Sequence, residues 1–170
     1  MMHLLSNYQG LAGLKVVRDG RFEVTGKLST PLNGLCVPLR SANYADEVNA
    51  NPRITAVITR PDIVDMLDER LAVAVADQPD AAHSEIHGKL CEQHSAQLRD
   101  QANQIDATAE IDPAAHIAGH GVKIGPRVWI GPNVTVAPGV TIEEDCVLHA
   151  GVALGIPGFN VGIVGGRQRV

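Results

Sequence analysis

Ile124-Gly125-Pro126-Arg127-Val128-Trp129, Ile130-Gly131-Pro132-Asn133-Val134-Thr135 and Val136-Ala137-Pro138-Gly139-Val140-Thr141 are three consecutive blocks of six with one internal grammar. Each opens on a branched aliphatic, passes through glycine or proline, and carries valine at its fifth place. The same spacing runs outward in both directions. Aliphatics stand at Ile105, Ile111 and Ile117, then after a single step of seven at Ile124, Ile130, Val136, Ile142, Leu148 and Leu154. A small or β-branched residue follows four places later at Ala109, Ala115, Val128, Val134, Val140, Cys146 and Val152. A period of six is neither 3.6 nor 2, which excludes both a continuous helix and a simple alternating sheet. It suits a three-sided solenoid. The large aliphatic of each side points inward, the small residue fills the corner, and Pro132-Asn133 and Pro138-Gly139 accept the turns. Three hexads make one coil, so nine give about three coils stacked at roughly 4.8 Å.

Composition agrees. The chain has 170 residues, 45% hydrophobic but only 3% aromatic, so a narrow interior filled by Val, Ile, Leu and Ala is expected. Residues 105–170 hold 11 of the 17 glycines and 5 of the 10 prolines, which sets the expected domain boundary at 104/105. A net charge of -5 argues against a nucleic-acid binder. No apolar run reaches the ~20 residues of a membrane span, and the start carries no basic region ahead of an apolar stretch. Cys36, Cys91 and Cys146 form an odd, scattered set and read as reduced thiols, which points to the cytoplasm.

Residues 1–104 read as an α+β domain. Asp19-Gly20 lies between Leu14–Arg18 and Arg21–Thr25 and predicts a hairpin. Asn33-Gly34 predicts a turn into a strand at Leu35-Cys36-Val37. The runs 55–59 and 71–76 predict parallel strands around a short helix opening at Pro61. Asp80 reads as the N-cap of a connecting helix whose apolar face is Ala82, Ile86, Leu90 and Leu98.

The hexads resemble the hexapeptide-repeat acyltransferases, whose fold is the left-handed parallel β-helix. The order of parts is similar to the UDP-3-O-acylglucosamine N-acyltransferases of lipid A synthesis. Three stretches carry this: residues 35–44 with Ala56-Val57-Ile58, then Val73–Pro79 running into the helix, then Ile105–Pro113 opening the repeats. The resemblance implies a front domain that holds the uracil end of a UDP-linked amino sugar and a homotrimeric repeat domain. It implies an acyl thioester on acyl carrier protein as co-substrate, no other cofactor, and a histidine as general base on the attacking amine. Carried over by position, Tyr44 is the uridine-contacting tyrosine, and the family's asparagine falls near Arg40 or Ser41. The family's phenylalanine falls near Val37, and Gly158-Phe159-Asn160 stands at the family's Gly-Phe-Gly loop. The substrate-binding candidates are therefore Tyr44, Ser41, Phe159 and Asn160. The Ile-Ala-His segment that supplies the base has no counterpart here. The chain is therefore expected to be an amino-terminal piece without its catalytic base.

Other readings stand beside this one. His149 follows the inward Leu148 and should face outward, as a base candidate or as a surface or interface histidine. His116 and His120 read as repeat corners, and His83 and His87, four apart on a helix, as an exposed face; no metal is expected. Glu143-Glu144-Asp145 reads as a solvated acidic turn. Trp129 should face outward, as an intersubunit contact or a lone surface ring. The competing functions are a non-catalytic trimeric sugar-nucleotide-binding or assembly module, and a coenzyme A-dependent sugar acetyltransferase.

Overall fold

The computed structural model describes residues 2–156 together with the strand backbones Gly162–Val164 and Arg167–Arg169. The chain divides into two compact units, residues 1–90 with 161–170, and residues 91–160. The division falls inside the long helix, ahead of the composition shift at 104/105.

Residues 1–90 of the first unit carry β1 (His3–Leu4), β2 (Lys15–Arg18), β3 (Arg21–Phe22), β4 (Val24–Thr25), β5 (Leu35–Leu39), β6 (Ile54–Thr59) and β7 (Ala72–Val75). Five of them form one sheet in the order β2-β7-β6-β5-β4, parallel from β4 to β7 and antiparallel between β7 and β2. Both faces are covered, so β5 and β6 are apolar almost throughout rather than alternating. Leu35, Val37 and Leu39 pack with Val48 of α1 (Ala45–Ala50) and Ile63 of a 3-10 helix, Pro61–Met66. Cys36 and Ile58 face the other way, toward Leu5, Phe22 and the Ala82 and Ile86 stripe of α2 (Pro79–Arg99).

Two local expectations are corrected. Asp19-Gly20 does not close a hairpin, since β2 pairs with β7 and β3 with β1. The Asp19 carboxylate instead accepts from the Ser6 and Gly20 amides, each at 2.9 Å. Gly20 is needed for proximity, because a Cβ there would lie 2.8 Å from that of Ala72. Asp80 is inside the first turn of α2, not at its cap: Pro79 takes the opening position, where its missing N–H costs nothing.

In the second unit each inward aliphatic closes a two-residue strand. These are β8 (Gln104–Ile105), β9 (Glu110–Ile111), β10 (His116–Ile117), β11 (Lys123–Ile124), β12 (Trp129–Ile130), β13 (Thr135–Val136), β14 (Thr141–Ile142), β15 (Val147–Leu148) and β16 (Ala153–Leu154). Every strand pairs in parallel with the one three places along, giving three sheets, β8-β11-β14, β9-β12-β15 and β10-β13-β16. The aliphatics other than Ile105 form one cluster with the corner residues Ala109, Ala115, Val128, Val134, Val140, Cys146 and Val152. Burial peaks in the middle coil, with Ile124, Ile130 and Val136 at 3%, 0% and 1% exposure. The end coil opens to water at Ile105, 44% exposed, because each coil is sealed by its neighbours.

The corners explain the glycine and asparagine usage. Three places after the aliphatic, Arg127, Asn133, Gly139, Asp145 and Gly151 all have positive φ, between 55° and 84°. The first coil turns differently: Asp106 Oδ1 accepts from the Thr108 amide at 2.9 Å and Asp112 Oδ1 from the Ala114 amide at 2.8 Å.

Beyond these coils, β17 (Gly162–Val164) and β18 (Arg167–Arg169) pair antiparallel.

Candidate functional site

A cleft of about 700 Å³ opens in the first unit at the carboxyl end of β5. Its position follows from an incomplete edge. β4 is only two residues long and pairs with Leu35 and Cys36, so the second half of β5 has no neighbour on that side. Pro38, which has no N–H to donate, falls on this open edge while keeping its register with Ile58 of β6. Pro38, Leu39 and Arg40 form one wall. The chain then turns through Ser41, whose hydroxyl accepts from the Asn43 amide at 3.3 Å and starts the 3-10 turn Ala42–Tyr44. That turn runs into α1 and sets Tyr44 and Glu47 on the rim, the Tyr44 ring being 53% exposed. The Lys27–Ser29 loop and the start of α2, with Asp80 and His83, complete the lining.

The cleft thus joins an exposed aromatic face, two hydroxyls (Ser29, Ser41), two cations (Lys27, Arg40) and two carboxylates (Glu47, Asp80). Arg40 Nε meets Asp80 at 3.3 Å, an exposed pair that is weak and free to exchange for another anion. An accessible ring beside exposed cations suits a planar base carrying phosphate groups.

His83 is corrected from an exposed to a half-buried position, His87 is exposed as expected, and each ties α2 to the sheet. His83 Nε2 lies 3.1 Å from the Cys36 carbonyl oxygen, and His87 Nδ1 lies 2.8 Å from the Thr25 hydroxyl. Burial holds the His83 imidazole below its ordinary pKa, outweighing the bond to the Cys36 carbonyl that favours the charged form. The same burial pushes the Cys36 thiol up to about 12, so it is no nucleophile at neutral pH. The folded state resists protonation of His83, whereas the unfolded chain accepts it near the ordinary 6.5. Stability will therefore fall as pH drops through about 6.5 and level off only below the folded value. Urea unfolding at about pH 7.5 and 5.5 will show this drop, and His83→Gln will reduce it; an unchanged drop in the variant would locate the effect elsewhere.

Of the residues singled out from sequence, Tyr44 and Ser41 meet in this cleft, and Val37 is fully buried beneath it in the sheet core. Phe159 and Asn160 lie outside the described residues. Lys27, Glu47, Asp80 and His83 also line the cleft, and nothing in their local sequence marks them, because only the fold brings the three segments together.

In the second unit Trp129 faces outward, 39% exposed, with Val147 beside it in the next coil at 55%. The exposed His149 meets the Trp129 ring edge-on, centroids 6.0 Å apart. His116 belongs to strand β10 rather than to a corner. The acidic turn is exposed, as expected, and adds one feature: Arg127 bonds both oxygens of Asp145, at 2.6 and 2.7 Å, and Glu144 at 3.1 Å, so two of its three carboxylates clasp the coil below. These bonds hold Asp145 below the usual carboxylate range. Among the described residues no cluster of His, Cys, Asp or Glu is arranged to hold a metal, and no helix is long and apolar enough to cross a membrane.

Residues 121–155 match the family described as bacterial transferase hexapeptide (six repeats). The match covers the middle and last described coils, which are thus similar in sequence to bacterial hexapeptide-repeat transferases. No curated protein matches the chain.

Proposed function

We propose that this protein is an N-acyltransferase acting on a nucleotide-linked amino sugar in the cytoplasm, with a left-handed coil as its repeat body. In this reading the amine nitrogen attacks the thioester carbonyl of an acyl carrier protein or coenzyme A donor. The amine proton passes to a general base, and the carbon–sulfur bond breaks to release the thiol. The first unit holds the uridine nucleotide, with Tyr44 stacking on the base and Ser41 hydrogen-bonding the nucleotide. Arg40 and Lys27 meet the phosphates. The repeat unit assembles as a homotrimer through its outward row, to which Trp129 and Val147 contribute. Phe159 and Asn160 contact the sugar. His149 is the candidate base among these residues.

The observation that carries the reading is the meeting of Tyr44, Ser41 and Arg40 in one cleft. Hexapeptide similarity supports transfer chemistry in general. The test is UDP binding by calorimetry. Wild-type protein should bind, and Tyr44→Ala should weaken binding roughly 10- to 100-fold, the worth of one stacked base. Absence of UDP binding by wild-type protein would overturn the proposal. A native mass of three chains is expected of the same sample.

A further inference from the structure

His83 has a place in the cleft that its tie to the sheet alone does not require. It lines the cleft, beside Asp80 and across from Arg40 and Tyr44. Its Nε2 is committed to the Cys36 carbonyl at 3.1 Å. A carbonyl oxygen only accepts, so Nε2 carries the hydrogen, and in the neutral ring Nδ1 is then a bare acceptor. No described side chain or backbone group bonds that Nδ1. Asp80, one turn earlier on α2, is engaged by Arg40 at 3.3 Å, and a carboxylate has no hydrogen to give a lone pair. His87, one turn later, is turned to Thr25 at 2.8 Å. His83 thus brings to the cleft lining a ring whose second nitrogen is an acceptor of fixed tautomer, and the complement of that atom is a ligand that presents an N–H.

We propose that His83 determines which base the cleft takes: its Nδ1 lone pair accepts a hydrogen bond from the ring N–H of a uracil-type base. This rests on the uridine-nucleotide reading above and adds to it a residue and a rule of discrimination. Uracil carries a hydrogen on N3. Cytosine carries a lone pair there, which would face the lone pair of Nδ1 with no proton between them. A site built around a specific donor rejects an analogue lacking it far more strongly than an apolar pocket rejects a misfit, because its own polar atom is left unpaired.

The test uses UDP, CDP and N3-methyl-UDP on the full chain, with affinities from calorimetry. Wild-type protein should bind UDP at least about tenfold more tightly than either other nucleotide, the effect of one unpaired acceptor. In His83→Phe the preference for UDP over N3-methyl-UDP should collapse toward one. His83→Asn, which keeps an oxygen acceptor, should retain part of it. A merely structural tie would lower affinity for all three nucleotides together and leave their ratio unchanged, and that result would overturn the proposal. Equal binding of UDP and N3-methyl-UDP by the wild-type protein would overturn it without any variant having to fold. Failure of wild-type protein to bind UDP at all would instead remove the uridine reading and this inference with it.

Discussion

Ile130→Ala will destabilise the repeat unit by about 4 kcal/mol, read as a lower urea midpoint with an unchanged slope. Ile130 is fully buried, in register with Ile111 on one side and Leu148 on the other. Truncation removes apolar surface from water and also leaves a cavity, because the main chains of the flanking coils are pinned and cannot collapse inward. The Gly131 amide bonds the Leu148 carbonyl at 2.8 Å and the Asp112 amide bonds the Ile130 carbonyl at 2.8 Å. Ile105→Ala, the same chemistry at a position 44% exposed, should cost about 1 kcal/mol or less. Equal losses at the two positions would mean that the coils are not stacked as described.

This gradient separates what the sequence reveals from what it does not. The inward register of the repeats is legible because every hexad repeats one physical decision, an aliphatic in and a small residue at the corner. All nine positions accordingly close a strand. The corners are less legible. Arg127 and Asp145 occupy left-handed conformations that glycine fits better, and nothing local distinguishes them from ordinary charged turn residues. Their value lies in the bond they make to each other across two coils, eighteen positions apart.

The first unit was legible in its parallel β6–β7 pair and in Tyr44, and illegible where tertiary pairing overrides a turn. Asp19-Gly20 is a sound hairpin signal, yet β2 gains a longer partner in β7 than in β3. His83 was hidden for a related reason. Its helix spacing suggests a solvated face, and nothing local shows that the Cys36 carbonyl, which already accepts from the Gly26 amide at 3.0 Å, takes the His83 ring as a second partner. The cleft is a product of where one strand stops, which has no motif.

Gly125→Val will cost about 3 kcal/mol or more, while Asn133→Gly, one hexad on, will be neutral or stabilising by up to about 1 kcal/mol. The two positions look alike as turn residues but obey different physics. A Cβ on Gly125 would sit 2.9 Å from the Glu144 nitrogen, 3.0 Å from the Glu143 carbonyl carbon and 3.2 Å from the Ile142 oxygen. All three are backbone atoms of the next coil, so no side chain can swing away. Relief requires the coils to part, and parting stretches the 2.8 Å bond from the Gly125 amide to the Ile142 carbonyl. Lost hydrogen bonding, about 1 kcal/mol, then adds to overpacking of about 1–3 kcal/mol. At Asn133 the constraint is conformational: φ is 56°, a region where a side chain is strained and glycine is not. Paired urea titrations of the two variants decide between the accounts. If Gly125→Val is tolerated as well as Asn133→Gly, glycine after the aliphatic serves turn flexibility, and close approach of successive coils is not what selects it.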